Sequence, residues 1–419
     1  MHDLKLLREQ PDVLRAALKR RGNPLALEPL LERERERRQL LTSIEQDRHT
    51  LNRESEAFGK LKASGQASAP PASLKTLSDG IKQREQQLKA VEDRITADLA
   101  LVPNVPHGSV PDGDARANAI VRTHGEPPRL AFKPKTHLEL GAALGLLDLE
   151  RAAKVAGSHF PLFTGRGARL ERALINWMLD VHTKEHGYTE IAPPYLVNRP
   201  SMFGTGQLPK FEEDMYRLKD DDLFLVPTAE VPVTNLHRDE MLEEAALPVA
   251  YAAYTACFRR EAGSYGKETK GLVRVHQFDK VELVRFVKPE ASYDELERLV
   301  GHAETILKRL GLHYRVVALA SGDLSFAAAK CFDLEAWAPG LNQYLEVSSC
   351  SNFEAFQARR ANIRYRPSGG KPAFVHTLNG SGVALARTFI CLLETHQRPD
   401  GHVTVPEPLR PYLDGLSQL

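Results

Sequence analysis

The chain has 419 residues, 42% hydrophobic and 26% charged, a composition that provides for two or three globular domains with a sizeable core. Its net charge of +1 excludes a uniformly basic nucleic-acid coat, so contact with RNA has to rely on local patches. No run approaches the roughly 20 apolar residues that span a bilayer. The four cysteines, Cys257, Cys331, Cys350 and Cys391, lack the paired spacing of a zinc site, so no structural zinc is expected and they read as reduced, buried thiols.

Residues Met1 to Glu9 carry acidic side chains early and lack an apolar signal core, from which a cytoplasmic location is expected. From about 28 to 102 the pattern becomes heptad-like. Leu41, Ile44, Leu51 and Phe58 form one seam, interrupted at Arg48 and Ser55; Leu74, Leu77, Ile81, Leu88, Val91, Ile95 and Val102 form a second, interrupted at Arg84 and Asp98. Two such limbs predict an antiparallel coiled-coil hairpin. The stretch Gly59 to Pro71 is expected to end one helix before the next begins. At 1.5 Å per residue a limb of about 30 residues is roughly 45 Å long, so the arm is expected to project into solvent. Prolines 103, 106, 111, 127, 128 and 134 mark 103–135 as a linker.

Residues 165–187 predict an amphipathic helix through Leu170, Leu174, Trp177, Met178 and Val181, followed by a strand from Tyr188 to Val197. Further on, Thr228 and Glu230 stand just after the apolar run Phe224-Leu225-Val226, where capping or a turn is the structural role and recognition of an ammonium group the functional one.

Residues 257–278 are the densest in phosphate-binding chemistry: Cys-Phe-Arg-Arg-Glu, then Gly263, Gly266 and Gly271, then Leu272-Val273-Arg274-Val275-His276-Gln277-Phe278. This predicts a strand, a glycine-containing loop and a returning strand. Alternation places Leu272, Arg274 and His276 on one face and Val273, Val275 and Gln277 on the other. Arg259 and Arg274 lead into and out of the loop, as multi-point capture of phosphate or carboxylate oxygens requires; solvated surface arginines are the plain alternative. Phe278, Lys280 and Glu282 share a face of the continuing strand, and a buried Glu282 needs partners. In Leu345-Glu346-Val347-Ser348-Ser349, a carboxylate beside hydroxyls suits nucleotide phosphates carrying magnesium, a cation that prefers oxygen ligands. Finally Asn379-Gly380-Ser381-Gly382 precedes a helical run containing Arg387, which predicts a strand end, a glycine-rich turn and a helix.

Phe-Arg-x-Glu, a glycine-rich loop and Arg-x-His-Gln-Phe in this order resemble motif 2 of class II aminoacyl-tRNA synthetases, in the form found in bacterial-type seryl-tRNA synthetases. With it, 168–197 resembles motif 1, 254–282 spans motif 2, and 374–396 resembles motif 3. The resemblance implies an α+β fold: an antiparallel-sheet catalytic domain over 136–419 flanked by helices, and an N-terminal tRNA-binding domain over 1–102 that carries the coiled-coil arm. It implies a homodimer built through motif 1, and a ligase that activates L-serine with ATP and Mg²⁺ and passes the seryl group to the terminal adenosine of tRNA(Ser), and of tRNA(Sec) where that tRNA is present. It implies catalytic roles for Arg259, Glu346 and Arg387, and serine contacts from Thr228, Ala229, Glu230, Arg259, Glu282, Asn379 and Ser381. ATP would be held by Arg259, Arg260, Glu261, Arg274, Val275, Phe278, Glu346, Val347, Ser348, Ser349 and Arg387, with Glu346 and Ser349 reaching magnesium through ATP.

Where the family usually has Arg before this Glu, the chain has Leu345, which removes any contact made by that Arg. On the arm, Arg33, Arg35, Arg37, Arg38, Arg48, Arg53, Lys60 and Lys62 are candidate tRNA contacts, although a solvated coiled-coil face accounts for most of them equally well. Lys267 and Lys270 either meet the tRNA acceptor end or are solvated. His276 is not needed as a general base. Two other readings stay open, a ligase that loads a carrier protein and an inactive paralogue that serves as an RNA-binding scaffold; the first lacks a long arm and the second breaks the site residues.

Overall fold

The computed structural model describes residues 1–66, 68–262 and 270–419, which form two compact units. One comprises residues 2–19 and 24–103; the other comprises residue 1, 20–23 and 104–419.

The smaller unit is dominated by two long helices, α1 (Glu28–Ala63) and α2 (Ala72–Leu99). Ile44, Ile81, Val91 and Ile95 are buried between them, which is the seam that the heptads predict. The polar residues interrupting the seam pair across the hairpin: Arg48 with Glu85 at 2.5 Å, Arg84 with Asp47 at 2.7 Å, and Arg33 with Asp98. Gly59 lies inside α1 rather than ending it, since one glycine costs a helix only about 1 kcal/mol. The turn comes later and closes at Pro71, which caps α2; Ala67 lies outside the described residues. No helix among the described residues is long and apolar enough to cross a membrane.

The larger unit is built on eight strands: β1 (Ala119–His124), β2 (Thr189–Ile191), β3 (Val249–Phe258), β4 (Gln277–Val287), β5 (Tyr314–Ala318), β6 (Lys330–Ala338), β7 (Gln343–Asn352) and β8 (His376–Ala384). Their order is β1-β5-β6-β7-β8-β4-β3-β2. All neighbours are antiparallel except β2 and β3. One face packs on helices through Leu170, Leu174, Trp177 and Met178 of the helix Arg166–Lys184, through Leu299 and Ile306 of Ser292–Arg309, and through Phe389 and Ile390 of Leu385–Thr395.

Strand β4 shows how the sheet makes room for a site. Val281 and Leu283 join the helix-covered core, while on the opposite face Val284 and Phe286 join a second apolar cluster with Ala229, Val233 and Ala358. Between these apolar stretches the face bearing Phe278, Lys280 and Glu282 opens into a cavity. A strand buried on both faces thus places its cavity-facing polar side chains before Val284, while on the helix-covered face Arg285 is buried against Glu295 at 2.6 Å.

Four expectations need correction. Residues 272–276 do not pair as a returning strand; β4 begins at Gln277. Two of their backbone donors are taken elsewhere, Leu272 N–H by His137 Nε2 and His276 N–H by His159 O, so alternation in sequence did not become a ladder. Tyr188 to Val197 is not one strand: Thr189–Ile191 belongs to the large sheet and Leu196–Asn198 pairs with Leu223–Leu225. Pro193 and Pro194 separate them, since proline removes a ladder donor. Part of the expected linker 103–135 is strand β1, paired with β5. Asn379 to Gly382 is no turn but part of β8, with a register shift between Ser381 and Ala384 before the helix begins at Leu385. Its glycines serve close packing: a Cβ on Gly380 would stand 2.4 Å from Leu299 Cδ2, and one on Gly382 would stand 2.7 Å from His182 Nε2.

Candidate active site

The cavity on the open face of β4, β7 and β8 has a volume of about 600 Å³. Thr228, Glu230, Arg259, Glu261, Arg274, Val275, Phe278, Glu282, Glu346, Val347, Ser348, Ser349, Asn379, Ser381 and Arg387 all line it. Ala229 does not: it is fully buried in the second apolar cluster. Arg260 does not line it either; it is exposed, and its backbone N–H donates to Asp214 O at 3.0 Å. Gly263, Gly266 and Lys267 lie outside the described residues, and Lys270 is exposed.

At one end four polar side chains are enclosed together. Thr228, Glu230, Lys280 and Glu282 are all buried. Lys280 Nζ donates to Thr228 Oγ1 at 2.8 Å and pairs with Glu282. Thr228 Oγ1 also accepts from Glu230 N–H at 3.3 Å, a local turn bond two residues on; the N-cap of the short helix Glu230–Thr234 is Ala229. Burial first, and then the Glu282 carboxylate, push Glu230 up to about 7. Gln357 Nε2 donates to Glu230 Oε1 at 2.6 Å, and Gln357 Oε1 accepts from Thr377 Oγ1 at 2.7 Å. Two carboxylates face one ammonium here. The arrangement has a place for a second cation that donates hydrogen bonds.

Arg259 lies beside this end. Its N–H closes the hairpin by donating to His276 O at 2.9 Å, its Nε donates to Pro227 O at 3.2 Å, and its guanidinium stands 5.2 Å from the centre of the Phe278 ring. His276 Nδ1 is 3.0 Å from Arg259 O; the ring serves the backbone and does not line the cavity. Glu261 pairs with Arg274 and adopts a positive φ of 52°, the left-handed region that strains a side-chain-bearing residue. Asp214 holds this stretch by accepting from Ala262 N–H at 3.1 Å.

At the other end Arg387 ties three segments together. Its Nε donates to Val273 O at 3.1 Å, its Nη1 donates to Glu346 O at 2.8 Å, and it lies 3.5 Å from the Glu346 carboxylate. The bulge between Glu346 and Ser348 changes which faces these residues use. Ser348 Oγ donates to Ser381 O at 2.6 Å, joining β7 to β8 where β8 loses register. Leu345 is buried in the helix-covered core, so it does not occupy the cavity. Ser349 pairs across the sheet with Asp333, a carboxyl raised by burial and by Glu346. Glu346 and Ser349 line the cavity and offer oxygen donors of the kind magnesium takes, and among the described residues no group of three or more His, Cys, Asp or Glu could hold a metal by itself.

Lys280, Gln357, Asp214 and Asp333 were not singled out as site residues from the sequence. Lys280 carries a signal, since it alternates with Phe278 and Glu282. The other three come from distant segments with no local pattern to mark them.

Comparison with known proteins matches this architecture along the whole chain. Residues 210–396 match the tRNA synthetase class II core domain (G, H, P, S and T), and residues 1–106 match the seryl-tRNA synthetase N-terminal domain. The serine–tRNA ligase of Geobacter sulfurreducens is 53% identical over 421 aligned residues, covering 100% of both chains. The crystal structure of seryl-tRNA synthetase from Pyrococcus horikoshii complexed with ATP superposes with a TM-score of 0.94 at 37% identity, covering 100% of this chain and 99% of that one. The cytoplasmic serine–tRNA ligase of Naegleria fowleri in complex with AMP gives 0.89 at 31% identity, covering 99% and 98%. These relatives favour neither the carrier-protein ligase nor the inactive paralogue. The chain belongs to the seryl-tRNA synthetase family of class II aminoacyl-tRNA ligases.

Proposed function

We propose that the cavity of this serine–tRNA ligase makes and then spends seryl-adenylate, with serine at the Thr228–Glu230–Glu282 end and ATP along Phe278, Glu346 and Arg387. Serine's ammonium is received by Glu230, whose ionised form that cation favours, together with Thr228. Its hydroxyl is met by Glu282, with Asn379 and Ser381 completing the wall. A serine carboxylate oxygen attacks the α-phosphorus of ATP, the bond to the bridging oxygen breaks, and pyrophosphate leaves. Arg259 stabilises the charge that develops at phosphorus, and Arg387 holds the γ-phosphate. Phe278 stacks on adenine, Val275 offers its backbone to the base, and Glu261 and Arg274 order the phosphate side. Magnesium, when bound through ATP against Glu346 and Ser349, supplies charge neutralisation at the phosphates. In the second step a hydroxyl of the tRNA's terminal adenosine attacks the seryl carbonyl and AMP departs. No side-chain base is required, and catalysis is positioning and electrostatics.

The single observation that supports this reading is the enclosure of Thr228, Glu230, Lys280 and Glu282 at one end of the cavity whose other end carries Arg387 and Glu346. The protein acts in the cytoplasm as a homodimer assembled through motif 1. The 1–102 domain grips tRNA(Ser), and tRNA(Sec) where present, through its arm. Aminoacylation of purified tRNA for serine, with and without residues 30–100, tests the division of labour. Deletion is expected to abolish charging and to leave serine-dependent exchange of pyrophosphate into ATP; unchanged charging by the deleted protein would defeat the role of the arm.

A further inference from the structure

His137 and Glu394 are both fully buried, and neither lines the cavity. His137 opens the helix His137–Ala143 behind a capping box made by Thr136 and Glu139, and Glu394 stands near the end of Leu385–Thr395. Glu394 Oε1 lies 3.0 Å from His137 Nδ1 and accepts from His137 N–H at 2.8 Å. Its Oε2 accepts from the N–H groups of Gly340 and Leu341 at 2.8 and 3.1 Å. Donors converge on both oxygens, which suits an ionised carboxylate and no protonated one.

A carboxylate at Nδ1 fixes the proton there and leaves Nε2 as an acceptor. Leu272 N–H donates to that Nε2 at 3.3 Å. A Cβ at Gly271, where φ is +69°, would stand 2.3 Å from the same nitrogen, so glycine is required for the backbone to come this close. The next residue, Val273, supplies the carbonyl that receives Arg387 Nε, and Val273, Arg274 and Val275 form cavity wall. Arg387 and Glu394 lie on one helix. The helix therefore grips the 272–275 segment twice, directly through Arg387 and through the Glu394–His137 relay.

We infer that His137 and Glu394 are positioning residues for the nucleotide, a relay of fixed tautomer that substitutes for the missing strand ladder at 272–276. The inference rests on ATP occupying the Phe278–Arg387 end. None of the hydrogen bonds at the serine end passes through His137, so the relay acts on one substrate and not on the other.

Serine-dependent pyrophosphate exchange by the full-length protein, with thermal melting of every variant, separates the two substrates. In His137→Ala the KM for ATP is expected to rise about tenfold while that for serine stays within about twofold, as loss of one buried acceptor and a loosened segment predicts. Glu394→Gln, of nearly the same shape, turns an amide NH₂ toward backbone donors and should give the same split. His137→Gln, whose carbonyl can still accept from Leu272 N–H, should recover most of the ATP KM. Folded Glu394→Gln with both KM values unchanged, or with both raised alike, would overturn the relay. Should His137→Ala fail to fold, the two glutamine variants decide by the same split. Absence of serine-dependent exchange in the unaltered protein would instead overturn the functional reading; ATP binding by calorimetry then carries the comparison of variants.

Discussion

The helical hairpin and the cavity both rely on charge pairs, but they use them in opposite ways. Arg48 and Glu85, which pair across the hairpin, have side chains 61% and 40% exposed; Lys280 and Glu282, which pair on β4, are 7% and 1% exposed. An exposed pair gains little because water already solvates each partner. A buried pair has lost that solvation, so removing one partner leaves the other uncompensated. The hairpin's charges set register and surface character and can be lost singly. The cavity's charges are interdependent, and a ligand that supplies a matching cation or anion enters the balance directly.

The comparison also sorts the arm's basic residues. Arg33, Arg37 and Arg48 are engaged with Asp98, Glu92 and Glu85 across the hairpin, whereas Arg35, Arg53 and Lys62 are exposed. The latter are the better candidates for phosphate contact, since among the described residues they have no cross-hairpin ion pair to give up.

The largest effect is expected at Arg387. Replacing it by Ala removes a guanidinium that holds two carbonyls and faces the phosphate side, and should lower kcat/KM for ATP by about a hundredfold, the order expected for one preorganised charge. A loss below about threefold in steady-state exchange would place Arg387 with the expendable charges of the arm.

A smaller effect concerns pH. Glu230 titrates at about 7 in the free protein because burial and Glu282 disfavour its anion. An ammonium ligand favours that anion, so serine competes with a proton. The KM for serine should rise as pH falls below about 7, approaching tenfold per unit where protonation is complete, and Glu230→Gln should flatten this profile. The sign for stability is opposite: Glu230 is raised above its unfolded value, so its carboxyl favours the fold below that value and the contribution is lost as pH rises toward about 7.

The smallest effect is expected on the arm. Arg48→Ala should cost less than about 1 kcal/mol by chemical denaturation and leave pyrophosphate exchange unchanged.

How much was legible in the sequence follows the same division. The arm was readable because heptads are local, and the stretch Gly59 to Pro71 does hold the end of the first helix, at Ala63, and the cap of the second. On β4 the period of two placed Phe278, Lys280 and Glu282 on one face, and the fold keeps them there. The same period misled at 272–276, where alternation is present but the backbone donors go to His137 and His159. Ala229 and Arg260 entered the site through the resemblance; Ala229 packs in the second apolar cluster and Arg260 is exposed. Gln357, which orients Glu230, and Asp214, which holds 260–262, act across large separations in sequence. No spacing rule reaches them. Leu345 fills the core at a bulge, which only the register of β7 against β6 reveals.

Whether the buried Lys280–Glu282 end of the cavity reads serine is decided at Glu282. Serine-dependent pyrophosphate exchange into ATP by Glu282→Ala, in protein shown by circular dichroism to be folded, tests it most directly. Exchange should be lost; near-normal exchange would show that this end does not read serine.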